Sequence, residues 1–381
     1  MNRHALITGV GNTPYRKKAD APADVLALRA VLAACRDAGI EPGAIDGMIN
    51  YPGHTAEDVV LSNLPIPRMR FRATVDQGGA SAVSGLRTAG LAVLGGAATH
   101  VLLLRGLLGS SGLRKADRPS FLPGRNLRLQ LEHTAGWNTP AARYAVLAQR
   151  YRHEYGLERS TLAEIALAAR AHAQLNPDAQ MFGRPLTLED YMGARLVADP
   201  YHLFDCCLET DGASAVIVSA APVCGARRAV RVLGAAEAVG ASPIDISNRD
   251  PFLSIGLDHA AADVWAQTGL GPSDMDAAMI YDCFTFEVLH QLESAGFAPH
   301  GRGRDLVADG QIRLGGRLPV NTHGGMLSEG HQAGLNHVIE AVRQLRGEAG
   351  ARQVADARHI AVSGWGQLGD GSFCVLEAGN G

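Results

Sequence analysis

The chain repeats itself, and that constrains its fold more than any other feature. Gly39-Ile40-Glu41-Pro42-Gly43-Ala44-Ile45-Asp46-Gly47-Met48-Ile49-Asn50-Tyr51 runs parallel to Gly269-Leu270-Gly271-Pro272-Ser273-Asp274-Met275-Asp276-Ala277-Ala278-Met279-Ile280-Tyr281. A glycine, a proline, an aspartate and a tyrosine recur in register. Further on, Val75-Asp76-Gln77-Gly78-Gly79 parallels Asn321-Thr322-His323-Gly324-Gly325. Ala98-Thr99-His100-Val101 parallels Ala357-Arg358-His359-Ile360, in the same order. Self-similarity of this kind means one supersecondary unit built twice. It divides the chain into an N-terminal half, residues 1–225, and a C-terminal half, residues 226–381. Gly79 and Gly325 then fall at related helix starts facing one site.

Within each unit, strands and helices alternate. Residues 5–10, 45–49, 72–75 and 99–104 read as strands, with helices at 24–38 and 81–94 between them. In the second unit, strands at 229–233 and 275–280 alternate with helices at 257–268 and 286–295. Such alternation argues for a largely parallel α/β sheet. A mostly helical insertion, about residues 106–198, interrupts the first unit, with helices at 141–155 and 161–175; the sheet resumes at 214–219. The insertion carries Arg114, Lys115, Arg118, Arg125 and Arg128, a cluster that either meets phosphates or is solvated surface.

At 381 residues the chain exceeds one ordinary core, which agrees with two units. A net charge of −3, with no basic run interleaved with aromatics, gives no pull toward nucleic acid. Gly95-Gly96 and His100 break the longest apolar stretch, residues 88–104, so no membrane span is expected. The N-terminus lacks a signal-peptide pattern, which points to the cytoplasm. The cysteines Cys35, Cys206, Cys207, Cys224, Cys283 and Cys374 form no CxxC pair. They read as buried free thiols that pack the core, and no metal ligand set is read from their spacing.

The chemistry gathers late, in Val320-Asn321-Thr322-His323-Gly324-Gly325-Met326-Leu327-Ser328-Glu329-Gly330-His331. Val and Asn before the glycine pair read as a strand ending in a tight turn. Apolar spacing predicts a helix over 332–345, which puts His331 where a loop enters a helix N-terminus. Free N–H groups there favour negative charge. An imidazole at that place either stabilises an oxyanion, moves a proton, or simply caps the helix. His323 is the second candidate.

These strings resemble the thiolase superfamily, nearest the sterol-carrier-protein or lipid-transfer-protein type. The specific ones are Ala198-Asp199-Pro200, Asp205-Cys206-Cys207-Leu208 to Asp211-Gly212-Ala213, Tyr281-Asp282-Cys283-Phe284-Thr285, Asn321-Thr322-His323-Gly324-Gly325 and Gly330-His331. The resemblance spans the whole chain. It implies a five-layer αβαβα fold, two sheets around a central pair of helices that begin near Gly79 and His331. It also implies a homodimer, with the strands at 72–75 and 99–104 at the interface.

Thiolases acylate a cysteine at a buried helix N-terminus. The resemblance places Gly79 at that position, and Val362 at the position of the family's second cysteine. Thiolysis through an acyl-enzyme needs a thiolate, and neither residue has one. Ser81, two residues on, reads as a helix cap. The cysteine-less, thiolase-like aldolases of steroid side-chain breakdown resemble this chain more closely. They cut a β-hydroxyacyl-CoA by retro-aldol chemistry and work with a small zinc-ribbon/OB-fold (DUF35) partner. That resemblance implies a lyase on a coenzyme A thioester with no permanently bound cofactor. Tyr281 serves as base or acid if neighbouring charge lowers its pKa, His331 as the second proton-transfer group, and the backbone N–H groups of Gly79 and Gly364 as donors to the thioester oxygen. An acyltransferase with a relocated nucleophile, and a non-catalytic acyl-CoA- or lipid-binding subunit, remain the alternatives.

Overall fold

Each copy of the repeat folds its punctuation in the same way. A computed structural model describes residues 4–112, 130, 132, 134–137, 139–222, 228–242 and 246–379. Helix Ala23–Ala38 ends at Gly39 with φ 67°, and helix Gly256–Thr268 ends at Gly269 with φ 69°. Both glycines take the left-handed conformation that closes a helix C-terminus. Pro42 and Pro272 then each open a single 3₁₀ turn. Asp46 accepts the N–H groups of Thr99 and His100 at 2.7 and 2.9 Å, while Asp276 accepts those of Arg358 and His359 at the same two distances. The first and last pairs of matched strings therefore touch each other in the same way in both halves.

The strands are β1 (Ala5–Asn12), β2 (Gly47–Asn50), β3 (Phe71–Thr74), β4 (His100–Leu108), β5 (Leu196–Ala198), β6 (Tyr201–His202), β7 (Asp211–Ser219), β8 (Val230–Val239), β9 (Ala277–Met279), β10 (His359–Gly366) and β11 (Asp370–Ala378). Nine of them form one sheet, ordered β3-β2-β4-β7-β1-β8-β11-β10-β9; β5 and β6 pair separately. The order is near-symmetric about the β1–β8 junction, with an isolated Ala278–Val320 bridge beyond β9 where β3 lies in the first half. Parallel pairing is confined to β2 with β3 and β4, and to β9 with β10. The largely parallel sheet expected from alternation is thus mixed, and two expected sheets are one continuous sheet. The cause is local. β10 and β11 are joined by Gln367-Leu368-Gly369, too short for a crossover, so they pair antiparallel. The first half pairs β4 with β7 in the same sense, but there residues 109–210 replace the three-residue turn. The insertion is correspondingly longer at its C-terminal end than the sequence reading.

Helices Ser81–Leu94 and Leu335–Arg346 form the central layer. Val83, Leu86, Val338 and Val342 share one core with Val218 and Val101 of the first half and Val362 and Leu376 of the second. The two halves of the sheet therefore face each other across these helices. Helix Ala23–Ala38 covers the outer face of the first half; helices Gly256–Thr268 and Thr285–Ser294 cover that of the second. Five layers result, as the resemblance implied. The first central helix starts beside Gly79, in a 3₁₀ turn at Gly78–Ala80. The second starts at Leu335, four residues past His331, because Ala333 (φ 51°) and Gly334 (φ 94°) are left-handed and break the helical path.

β3 is the outermost strand of the nine, whereas β4 is paired on both sides and Val101–Leu104 are buried. Residues 99–104 therefore cannot pair with a second chain; the β3 edge can. Helix Arg159–Ala173 of the insertion crosses onto the C-terminal half. Arg170 donates to Ser328 Oγ at 3.0 Å, Asn176 to the His323 carbonyl at 2.9 Å, and His172 Nδ1 lies 3.2 Å from the Asn321 carbonyl. The segment carrying the basic cluster, residues 114–128, lies outside the described residues. No described helix is long and apolar enough to cross a membrane.

Candidate active site

Tyr281 lies just beyond β9. The Asn321 side chain holds that position: its oxygen accepts the Ile280 N–H and its nitrogen donates to the Ile280 carbonyl, both at 2.8 Å. An amide side chain thus stands in for a strand neighbour, and the strand expected through 320–321 shrinks to one bridge. Gln291 donates to the Tyr281 carbonyl at 2.6 Å. With its backbone fixed on both sides, the Tyr281 ring lies directly on Gly79. A Cβ built at Gly79 would overlap the phenol ring, coming within 2.5 Å of its Cε2. Gly334 approaches the same ring, its Cβ position 3.6 Å from Tyr281 Cδ2. So a phenol fills the space into which a side chain at residue 79 would point.

The glycine at 364 has a related function. A Cβ there would meet the Gly79 carbonyl and Ser372 Oγ, each at 2.7 Å. Gly364 sits inside the β10–β11 ladder opposite Ser372, and its missing side chain lets the Gly79 turn pack onto the strand. Its role is close approach. Val362, two residues earlier on the same face, is fully buried in the central core and lines no site. Ser81 Oγ accepts the Gln77 N–H at 2.8 Å at the start of the helix.

The electrostatics of Tyr281 differ from the sequence expectation. Burial pushes its phenol well above the ordinary tyrosine value, and the neighbouring Cys283, Tyr51, Glu287 and Tyr144 push it the same way. The expected lowering by a neighbouring charge is overturned: among the described residues, the groups named beside the ring all push its pKa upward. Tyr281 remains a neutral donor at any physiological pH, and among the described residues its hydroxyl has no hydrogen-bond partner. Glu287 is held neutral too, again by burial first and Cys283 second. One of its carboxyl oxygens accepts the Cys283 N–H at 3.1 Å, and the other has no partner.

His331 is buried, and its N–H donates to Thr210 Oγ1 at 3.0 Å. Its ring lies with the thiols of Cys207 and Cys283, and the three potential ligand atoms are within 4.8 Å of one another. The two cysteines therefore belong to the site, although the sequence read them as packing. Next to His331, Gln332 is fully buried with both amide atoms unpartnered, as is the indole N–H of Trp365. Buried polar groups without protein partners mark places where a ligand or solvent is bound.

His323 is elsewhere in function. It is fully buried behind the Gly324-Gly325 turn, edge-on to His337 at 4.9 Å, with Glu329 3.6 Å from its Nε2. Burial, reinforced by His337 and Arg352, holds it neutral far below the ordinary histidine value. It cannot pick up a proton near neutral pH and belongs to the frame. The same frame includes Asp282, whose carboxylate accepts the N–H groups of Met326 (2.8 Å) and Leu327 (3.2 Å) and meets His337 at 3.0 Å.

Sequence reading missed Glu287, Gln332, Trp365 and Tyr144. Glu287 was findable: it lies in the first turn of the helix that follows Cys283, from where its carboxylate reaches back to the Cys283 N–H. Gln332 adjoins His331. Trp365 and Tyr144 meet edge to face at 5.3 Å, but they come from opposite halves and no local signal links them.

Against this geometry the comparisons agree. Residues 238–377 match the thiolase C-terminal domain-like family. A steroid side-chain-cleaving aldolase of Thermomonospora curvata is 36% identical over 377 residues, 94% of each chain. A 17-hydroxy-3-oxo-4-pregnene-20-carboxyl-CoA lyase of Mycobacterium tuberculosis is 35% identical over 375 residues, 95% of this chain and 96% of its own. Among solved structures, an Ltp2-ChsH2(DUF35) aldolase superposes with a TM-score of 0.92 at 35% identity, over 99% of this chain and 98% of that one. Human mitochondrial 3-ketoacyl-CoA thiolase, 18% identical with a TM-score of 0.70, shares the fold. The chain belongs to the thiolase superfamily, and within it to the thiolase-like carbon–carbon lyases that act on acyl-CoA.

Proposed function

We propose that the chain cleaves a β-hydroxyacyl-CoA with a steroid- or aromatic-derived acyl group, by retro-aldol chemistry and without an acyl-enzyme. The observation that carries this reading is the phenol of Tyr281 lying in the space above Gly79. A superfamily member with a ring there has no room for a nucleophile at residue 79. It has instead a neutral O–H donor with no hydrogen-bond partner among the described residues.

His331 accepts the β-hydroxyl proton. The bond between the α- and β-carbons breaks, a carbonyl product leaves, and the electron pair passes into the thioester enolate. N–H groups of the Gly79 turn face the thioester oxygen as the enolate forms. Tyr281 then gives its proton to the α-carbon, and solvent returns the His331 proton to Tyr281. Bonds and charges balance with no co-reactant. Because Tyr281 stays protonated, we assign it the acid and His331 the base.

The test is direct. Incubation with a 17-hydroxylated steroid side-chain CoA thioester should release a ketone and a shortened acyl-CoA in equal amounts, with the protein mass unchanged throughout. Cys283 beside His331 is the one arrangement that favours a relocated nucleophile. A stable acyl adduct on Cys283 or Cys207 would replace the lyase by the acyltransferase.

We further propose a homodimer formed through the β3 edge, a cytoplasmic location, and a small zinc-ribbon/OB-fold partner. The Ltp2-ChsH2(DUF35) relative supports the partner. So does a run of exposed apolar side chains on the insertion: Phe182, Leu188, Met192, Leu196, Val197 and Leu203. Light scattering of the isolated chain, and co-purification with a co-expressed partner of that class, test these points.

A further inference from the structure

We propose that Cys207, Cys283 and His331 form a binding site for one thiophilic divalent cation, Zn2+ being the best fit, two residues along the chain from Tyr281. The two sulfurs are 3.3 Å apart, and the three candidate ligand atoms lie within 4.8 Å of one another. With Zn–S near 2.3 Å and Zn–N near 2.0–2.1 Å, a tetrahedral ion needs S–S separations of about 3.8 Å and S–N separations of about 3.5 Å. The sulfurs are somewhat closer than that and the imidazole lies within 4.8 Å of both, so small side-chain rotations complete the set.

The backbone frame is already built. The Cys207 N–H donates to the Cys283 carbonyl at 2.9 Å, and Leu208 donates to Met326 at 3.0 Å. The His331 N–H is held on Thr210 at 3.0 Å. Three loops distant in sequence are thus locked with their ligand atoms converging. A site prepared in this way loses little chain entropy on binding.

The donor set selects the metal. Two thiolates and an imidazole favour Zn2+ or Co2+ over Mg2+ or Ca2+, which want oxygen. On binding, the two thiols release their protons to solvent, and the thiolates and the imidazole lone pair bind the ion. Three protein ligands leave a fourth position open for water or a substrate atom. Cys207 is only half-buried, which gives the ion a way in. One consequence rests on the proposed function: a His331 that coordinates metal cannot accept the β-hydroxyl proton, so the loaded enzyme turns over more slowly and a chelator restores it.

The experiment titrates Co2+ into the full-length, reduced, chelator-treated protein. The expected result is one cobalt per chain, with thiolate-to-cobalt charge-transfer absorption and the visible bands of a tetrahedral ion, displaced by Zn2+ at one equivalent. Cys207→Ser and Cys283→Ser should each weaken cobalt binding by at least about tenfold and reduce the charge-transfer band. His331→Ala should shift the visible bands while keeping the charge transfer from both sulfurs. Cys35→Ser, a buried thiol in another layer, should change nothing. Circular dichroism checks that each variant is folded, and any one of the three ligand variants that folds is sufficient. A wild-type protein with no charge-transfer band, or a band that survives Cys207→Ser and Cys283→Ser, overturns the site. So does recovery of a Cys207–Cys283 disulfide from cells lysed into alkylating agent, which would make the pair a redox couple. The readout is optical, so it stands whether or not the lyase assay succeeds.

Discussion

The same corner of the fold occurs twice, and each time it holds a tyrosine. In the first half the Tyr51 hydroxyl donates to two backbone carbonyls, Gly78 at 2.5 Å and Ala333 at 2.9 Å, and the Arg105 guanidinium lies 4.0 Å over its ring. In the second half Tyr281 has the equivalent place but no described partner for its hydroxyl, and its ring presses on the glycine of the opposite half. Tyr51 ties together the turns before the two central helices. Tyr281 occupies the ground between those turns. Duplication supplied two equivalent positions; one is a strut, and the other is the one we propose meets the substrate.

Removing each hydroxyl should separate the two most sharply. Tyr281→Phe should lower turnover by about 10²–10⁴-fold, the usual worth of a general acid, with acyl-CoA binding and melting temperature nearly unchanged. Tyr51→Phe should do the reverse. It leaves the buried Ala333 carbonyl and the half-buried Gly78 carbonyl without their donor, at a cost of about 1–3 kcal/mol, seen as a lower denaturant midpoint with a smaller effect on rate. Equal rate losses in the two variants would break the comparison and return both tyrosines to structure. His331→Gln keeps shape and hydrogen bonding but not proton transfer. A loss of about 10²-fold or more supports the base assignment; a near-normal rate would make His331 a positioning group.

Gly79 and its repeat partner Gly325 make a second pair. Both lack a side chain for reasons of space: a Cβ at Gly79 meets Tyr281 and Trp365, and one at Gly325 (φ 61°) meets the Asp282 carboxylate. Gly79→Ala should therefore cost more than about 1–3 kcal/mol, the usual range for overpacking, because rigid neighbours surround it. The informative variant is Gly79→Cys. It should stay unacylated by acetyl-CoA in intact-mass spectrometry, because the Tyr281 ring blocks the thiol. Adding Tyr281→Gly to it should permit acylation. If Gly79→Cys alone takes up an acyl group, the ring is mobile and the steric argument fails.

Much of this was legible beforehand. Residues 81–94 were read as a helix, and helix Ser81–Leu94 has those bounds. Small residues pack it tightly, and the glycine pair and Gly95 mark its ends. The repeat carried the relation between the halves, and the family resemblance implied the five layers. What stayed hidden depended on contacts that no local pattern reports. The β10–β11 hairpin turns on Gln367 and Leu368, both at positive φ, with no Asn or Gly at either place to announce it. The second central helix starts late because Ala333, a residue that otherwise favours helix, is left-handed. Tyr281 stands out in its motif, but its acidity depends on burial beneath the opposite half. Cys207 and Cys283 are far apart in sequence, and only the loop-to-loop hydrogen bonds bring their sulfurs together.

The mildest contrast lies at the starts of two strands, where Asp211-Gly212 opens β7 and Asp370-Gly371 opens β11. Burial alone would raise the Asp211 carboxyl. Hydrogen bonds from the Ser111 hydroxyl and from the N–H groups of Ser111, Ser110 and Ala19 outweigh it and hold the group below the ordinary carboxylate range. Asp370 has no such donors among the described residues. Burial raises it to about 6, with Glu237 and Asp76 adding to the rise and Arg249 opposing it. The two should therefore give stability slopes of opposite sign. Asp211, with its folded pKa lowered, stabilises the fold above the ordinary value of 3.8, and that contribution fades as pH falls. Asp370, with its folded pKa raised, contributes fully below 3.8 and loses that contribution as pH rises through about 6. Melting temperatures from about pH 3 to 8 check this. The gap between wild type and Asp370→Asn should move against wild type between about pH 4 and 6 and then flatten. The gap for Asp211→Asn should be widest at neutral pH and close on acidification. Parallel slopes for the two variants would mean that both halves hold this aspartate in the same way, and that the division into a braced half and an open half stops at the tyrosines.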